Sequence, residues 1–463
     1  MSIHVGHAED APEFKKAAHS LLGNAQLRGN VRRATETIRN KRAIVVNEMP
    51  DWEQLRDSAQ QIKQHALRHL DALLEQFEAA CTKAGGHVHW ARDADEANRI
   101  IIGIVQGHGQ TEVIKVKTMT SDETRLNEAL EAAGITPWET DLADLIIQLG
   151  NDKPSHIVVP ALHRNKTEIR QIFLDKMNLT ELGTQPEDLA AAARNYLRER
   201  FLRVKVGFSG ANFAVAETGS VCVVESEGNG RMCVTLPDVM ITMLGIEKII
   251  PAFDDLEVFL QLLPRSATGE RMNPYNSVWT GVTPGDGPQE FHVVLLDNGR
   301  TKVLADAESR ETLHCIRCAA CLNTCPVYRQ TGGHAYGSIY SGPIGAILTP
   351  QLQSMEHSRS LPYASSLCGA CYEVCPVKIN IPEILIHLRR RIVENGDAPM
   401  TEGWGMKVAA FTLSDSARLA GAQKLVQLGH KPLEAIGLPG WSAARDLPAI
   451  PKETFREWWS KRS

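Results

Sequence analysis

Thiolates hold soft metals and metal clusters, and this chain gathers seven of its ten cysteines into two short runs. The first, Cys315-Ile316-Arg317-Cys318-Ala319-Ala320-Cys321-Leu322-Asn323-Thr324-Cys325-Pro326, reads C-x2-C-x2-C-x3-C-P. That is the bacterial ferredoxin spacing for a [4Fe–4S] cluster, in which the fourth cysteine serves the other cluster. The second, Cys368-Gly369-Ala370-Cys371-Tyr372-Glu373-Val374-Cys375-Pro376, reads C-x2-C-x3-C-P, one cysteine short. Three thiolates at this interval wrap one cubane, each on a different iron. The proline then stops a helix from continuing, through its fixed φ and missing N–H. Structural zinc takes two separated C-x2–4-C pairs around one tetrahedral ion, which leaves the third close cysteine surplus.

The spacing therefore predicts iron–sulfur chemistry. By the crossover, Cys315, Cys318, Cys321 and Cys375 hold a first cluster, and Cys325, Cys368 and Cys371 hold a second. Counted back from Cys375 with the first run's spacing, the missing ligand falls on Ser365. A hydroxyl holds its proton far more tightly than a thiol, which titrates near pKa ~8.5. A [3Fe–4S] cluster or an iron open to water or a partner ligand is therefore favoured over serine ligation. Arg310, Arg317, Arg329 and Lys378 flank the runs. They either raise the potential of an anionic cluster or form a solvated basic rim.

The elements that must position these cysteines are legible in outline. Residues 1–67 read as a helical arm, with apolar positions from Trp52 to Phe77 at helical spacing and Gly85-Gly86 as a stop. Then strands alternate with helices. His87–Trp90, Thr111–Lys117, Ile135–Glu139 and Ser155–Pro160 read as strands, and Asp93, Ser121 or Asp122, and Thr167 as helix caps. Such alternation predicts βαβ units and a parallel sheet. After a helix over 186–203 the pattern turns to β: Ala211–Ala216, Ser220–Glu225 and Arg231–Leu236, with a turn at Gly228-Asn229-Gly230. A second hairpin is expected from Phe291–Leu296 and Thr301–Leu304 around Asp297-Asn298-Gly299. The cysteine region begins near Glu311, and its Gly/Tyr-rich loop Thr331–Pro343 is expected to pack over the clusters. A helix over Glu383–Asn395 and a helical tail to Ser463 follow.

Other candidate chemistry is weaker. Gly207-Phe208-Ser209-Gly210 lacks the G-x-S-x-G spacing of a nucleophile elbow. Glu217-Thr218-Gly219-Ser220 is either an anion-binding turn or an ordinary β-turn, the second being favoured. Lys115 and Lys117 end a strand, where open α/β sheets place ligands, although a solvated strand end is the commoner case. Cys222 and Cys233 would face each other across a symmetric hairpin, as small core residues rather than a redox pair. His87 and His89 read as structural. Trp458-Trp459 is a partner anchor or, more simply, packing. No G-x-G-x-x-G follows any strand, so a dinucleotide site is not supported.

The net charge of −5 leaves no nucleic-acid footprint. No run of 18 apolar residues predicts a membrane span. Met1–Asp10 lacks the apolar region of a secretory signal. The expectation is a cytoplasmic chain, attached to a membrane, if at all, through partners.

The whole chain resembles the lactate utilisation protein B family, the iron–sulfur subunit of a three-protein L-lactate oxidation system. The residues that carry the resemblance are Gly210-Ala211-Asn212-Phe213-Ala214-Val215-Ala216-Glu217-Thr218-Gly219-Ser220, Tyr275-Asn276, Cys315–Pro326, His334–Pro343 and Leu361–Pro376. The resemblance implies an α/β LUD domain over 68–304, similar to CoA-transferase and ribose-5-phosphate-isomerase folds, with a parallel sheet and a β-rich part. It implies a mainly α dicluster ferredoxin-like domain over 305–395, before a helical tail over 396–463. It further implies electron transfer during oxidation of L-lactate to pyruvate. The partners implied are a cysteine-rich CCG-domain subunit and a small LUD-domain subunit. The alternatives kept are service to another 2-hydroxy acid or to glycerol 3-phosphate, catalysis by the LUD domain itself, and redox sensing.

Overall fold

In the computed structural model, a six-stranded parallel sheet stands at the centre of the α/β region. The structure describes residues 13–353, 355–396, 400–428, 449 and 451–462. Ten strands run in chain order: β1 (Gly86–Ala91), β2 (Glu112–Lys115), β3 (Thr136–Glu139), β4 (Val206–Ser209), β5 (Phe213–Val215), β6 (Ser220–Glu225), β7 (Val239–Gly245), β8 (Ile249–Ile250), β9 (Tyr275–Trp279) and β10 (Glu290–Leu296). The main sheet has the order β1-β10-β7-β4-β2-β3, with every pair parallel. A second sheet, β8-β5-β6-β9, is mixed.

Strand composition follows burial. β7 is Val-Met-Ile-Thr-Met-Leu-Gly and is buried at all seven positions, as a strand covered on both faces must be. Alternate residues serve alternate layers. Met240, Leu244, Phe291 and Val293 pack on the helix Leu70–Lys83 through Leu74 and Phe77. Ile241, Met243, Val294 and Leu296 pack on the helix Ala94–Gly107 through Ile101 and Val105. Asp93 caps that helix, its carboxylate accepting from the Glu96 N–H at 2.9 Å.

Several expected strands are helices or turns instead. Residues 229–235 form a helix, opened by Gly228 at φ +84°. The Glu225 carboxylate accepts from the N–H groups of Glu227, Gly228 and Arg231 and so caps its first turn. Gly299, at φ +89°, likewise opens the helix Arg300–Ala305 rather than a hairpin return. In both cases a glycine turn signal is shared by hairpins and helix starts, and the side-chain cap decides. Cys222 therefore pairs in register with Phe213, while Cys233 lies on the helix beside the Thr140 hydroxyl. Ser155–Pro160 closes as a turn, with His156 Nδ1 accepting from the Val158 and Val159 N–H groups at 3.0 Å. The cap expected at Thr167 is Asn165, in a capping box with Glu168. The single helical stretch expected from Trp52 breaks at His69 into Trp52–Arg68 and Leu70–Lys83.

The helical arm (Phe14–Leu22, Ala25–Asn47, Trp52–Arg68) shares one core with the cysteine region: Leu27, Val31, Trp52 and Ala59 are clustered with Ile316, Leu322, Tyr328 and Leu385. The described residues up to Arg390 form one compact unit. From Arg391 onward lies a second, with helices Met400–Leu413, Ser416–Leu428 and Phe455–Ser460. Met1–Asp10 and parts of the expected tail lie outside the described residues. Among the described residues no helix is long and apolar enough to cross a membrane.

A buried charge chain ties the sheet to the cysteine region. Arg300 follows β10 and is 1 % exposed; it forks onto Glu123 at 2.8 and 2.9 Å and also pairs with Glu247. Glu247 takes Arg317 at 3.3 Å, and Tyr340 donates its hydroxyl to Glu123 at 2.6 Å. Burial alone would raise the Glu247 carboxyl, but Arg300 and Arg317 outweigh it and hold it at about 2. A folded-state value below the unfolded one, ~4.3, stabilises above that value, and the contribution is lost as pH falls toward 2. Replacing Arg300 by Met leaves two buried carboxylates short of a cation. R300M should cost about 3–5 kcal/mol at pH 7, read as a lower urea midpoint. A cost below about 1 kcal/mol, the level of a surface pair, would show that the chain of charges does not hold the parts together.

Candidate iron–sulfur site

Both cysteine runs share one local design. In the first, Arg317 and Ala319 stand at φ +61° and +60°, and Ala320–Thr324 then forms a short helix. In the second, Leu367 and Gly369 stand at φ +55° and +83°, followed by the helix Ala370–Glu373. Left-handed residues at matching steps curl the backbone around a centre so that N–H groups turn inward, which is how a loop cradles an anionic group. The Arg317 N–H donates to Cys315 Sγ at 3.4 Å, Tyr328 to Cys325 at 3.5 Å and Ile379 to Cys375 at 3.4 Å.

This match extends to the position that lacks a cysteine. Leu367 N–H donates to Ser365 Oγ at 3.1 Å, as Arg317 N–H donates to Cys315 Sγ. Ser365 thus occupies the second run's counterpart of Cys315, with an oxygen in place of the sulfur.

The runs come together across the chain. Cys315, Cys318 and Cys321 line one small cavity with Cys375 from the other run. Cys371 feels the charges of Cys325 and Cys368, and Cys325 that of Cys368. Cys321 also feels Cys371, so the two groups of thiols are neighbours. Burial and neighbouring thiols push Cys318 and Cys371 up to about 12, and Cys321 well above the ordinary thiol value. Thiols this crowded become thiolates only beside strong positive charge. An iron–sulfur core supplies that charge, so donor set and group fit.

Cations surround the first group, and the sequence pointed to only some of them. Arg317 is buried, donates to the Cys315 carbonyl at 3.2 Å and lies 4.9 Å from the Tyr340 ring centre. Lys378 pairs with Asp57 and Glu53, Arg329 reaches Glu36 at 4.0 Å, and Arg310 is exposed. Two others come from the helical arm. Arg56 donates to the carbonyls of Cys375 (2.9 Å) and Tyr372 (3.2 Å), and Arg42 to that of Val374 (3.1 Å). They satisfy the carbonyls that end the second run's turn and set positive charge beside Cys318 and Cys375. Arg56 is 319 positions from Cys375 in sequence, so no local pattern could have found it. The loop Thr331–Pro343 puts buried Tyr336 beside Cys321 and Cys325, as expected of a cover.

The remaining candidates resolve simply. Lys115 is buried against Glu139 at 2.7 Å and is a core ion pair. Lys117 donates to the Val158 carbonyl at 3.0 Å and lines a cavity at the strand ends. Ser209 is buried against Thr242. Gly219, at φ +69°, lies so near the Cys81 backbone that any side chain would collide with it, so this turn serves packing. His89 bonds His292 at 3.0 Å, and His87 stacks on the same ring. Trp459 is exposed and Trp458 half-buried.

Comparison with known proteins agrees with this geometry. Residues 74–296 match the LUD domain, and residues 311–379 match the 4Fe-4S dicluster domain. Lactate utilization protein B of Bacillus licheniformis is 44% identical over 463 residues, spanning 97% of both chains. The protein of that name in Bacillus subtilis is 43% identical, over 97% of this chain and 96% of that one. The uncharacterized electron transport protein YkgF of Escherichia coli is 42% identical, over 97% and 96% respectively.

Two predictions follow from the pairing of runs. Cys375→Ser should perturb the EPR signal of the cluster held by the first run, and Cys325→Ser that of the other. If each substitution perturbs the cluster of its own run, the crossover is wrong. Ser365→Cys should complete the second ligand set, giving a cluster as air-stable as the first. Unchanged oxygen lability would show that position 365 does not face the cluster.

Proposed function

This chain belongs to the lactate utilization protein B family, and from that premise we propose that it is an electron-transfer subunit for oxidation of L-lactate to pyruvate. Its 4Fe-4S dicluster domain would hold two clusters, one on Cys315, Cys318, Cys321 and Cys375, the other on Cys325, Cys368 and Cys371. The observation that carries this reading is the convergence of thiols from both runs on one small cavity, within a family named for lactate use. When bound, such clusters supply one-electron transfer. The chain's own residues fix where the thiols stand, donate N–H groups to their sulfurs, and set Arg42, Arg56 and Arg317 around them. Positive charge and N–H···S bonds both favour the reduced state.

Lactate oxidation releases two electrons, and the sequence offers no nicotinamide fingerprint for a two-electron carrier. The reading therefore assigns the lactate-oxidising step to partners: a cysteine-rich CCG-domain subunit and a small LUD-domain subunit. A second reading makes the LUD domain the catalyst, favoured by a cavity at its strand ends that reaches Arg317.

L-lactate should leave the cluster absorbance of the isolated, reconstituted chain unchanged and bleach it once both partner subunits are added. Bleaching in the single chain would move the catalysis into this protein.

A further inference from the structure

The parallel sheet changes direction between β2 and β4. From β2 the chain passes outward to β3; from β4 it passes the other way, to β7 and then β10. In open α/β sheets the crevice at the carboxyl ends of two such strands is where ligands bind. Here that crevice is a cavity of about 380 Å³, within the range of small-molecule sites. Val116–Thr118, just past β2, form one wall, and Gly210–Asn212, just past β4, form another.

Three cationic side chains line the same cavity: Lys117, which donates to the Val158 carbonyl, Lys248 and Arg317. Lys248 follows β7 and is 8 % exposed; burial and the charge of Arg317 push its ammonium down to about 7, a shift that an anion bound beside it would reverse. Arg317 comes from the cysteine region. Its terminal nitrogens are taken by Cys315 and Glu247, but its buried Nε has no partner. Cationic side chains gathered at the carboxyl ends of the strands, with part of their surface on one cavity, make a seat for an anion. The carboxylates that also line the cavity are engaged elsewhere: Asp141 and Glu227 accept backbone N–H groups at the start of the helix Leu142–Gly150, and Glu225 caps the helix after β6. Ile157, Val158 and Leu263 give the cavity an apolar side.

We propose that this cavity is a binding site for a small organic carboxylate, whose charged group sits against Lys248 and Arg317, beside the first cysteine run. The choice of acid, a 2-hydroxy or 2-oxo monocarboxylate, rests on the lactate reading. Binding involves no bond-making step. It has an electrical consequence, because an anion set against Arg317 screens the cation nearest Cys315, and the first cluster becomes harder to reduce.

The test uses the reconstituted full chain, titrated calorimetrically with L-lactate and with pyruvate up to about 10 mM, above the usual range of substrate affinities. At least one acid should bind saturably. Lys248→Met should weaken that binding by at least about tenfold, the loss expected for one charged hydrogen bond. Ala211→Leu, which adds bulk to the cavity wall and leaves the cations in place, should weaken it as well. In EPR-monitored potentiometry the bound acid should lower the midpoint of the first cluster and leave that of the second in place. If neither acid binds, or if both variants bind as the parent does, the proposal is overturned. Lactate-driven bleaching in the presence of the partner subunits would then still stand, so failure here is distinct from failure of the electron-carrier reading.

Discussion

Two carboxylates buried at the carboxyl ends of the central strands set the terms for the rest of this structure. Glu123 and Glu247 are 5 % and 1 % exposed, and a buried carboxylate is tolerable only with cations in contact. Arg300, from the end of β10, serves both. The other cation on Glu247 is Arg317, which stands between Cys315 and Cys318. The loop that curls around the first group of thiols is thereby anchored in the α/β sheet. Tyr340, donating to Glu123, adds a second anchor from the loop that follows the first run. The LUD domain and the cysteine region are thus joined by groups that neither can leave unpaired.

The helical arm closes the other side. Arg42 and Arg56 reach the carbonyls at the end of the second run, and Lys63 donates to the Glu247 carbonyl. The same helices supply Leu27, Val31 and Trp52 to the core around Tyr328 and Leu322. Charge and apolar burial therefore act together: the arm covers the thiols and brings cations that sulfur-rich, anionic clusters require. A strand-end cavity of the α/β domain also reaches Arg317, between Cys315 and Cys318.

Legibility in the sequence followed the range of the interactions. Cysteine spacing is a local signal: it marked both runs and, by counting, the serine at position 365, and the structure brings Cys375 to the same small cavity as Cys315, Cys318 and Cys321. The left-handed residues at 317, 319, 367 and 369 explain why position 365 could be placed by counting: the second run repeats the first step by step. Strand and helix alternation carried β1, β2 and β3 of the parallel sheet, whereas β4 and β7 at its centre went unread and β10 was read as half of a hairpin. The misreadings came where one local signal serves two structures. Gly228 and Gly299 open helices, although a glycine before apolar residues also fits a hairpin. The charge chain Glu123–Arg300–Glu247–Arg317 and the arginines of the arm were beyond reach, because their partners lie far apart in sequence and nothing local marks them.

The central claim is that one chain holds two electron-accepting clusters built from both cysteine runs. An anaerobic reductive titration of the reconstituted protein, followed by EPR with iron and acid-labile sulfide determined on the same sample, tests it most directly. The account predicts uptake of about two electrons per chain, about seven or eight irons with about eight sulfides, and two signals that broaden each other, as neighbouring clusters do. Uptake of a single electron with about four irons, or a chain loaded with zinc and free of sulfide, would contradict it.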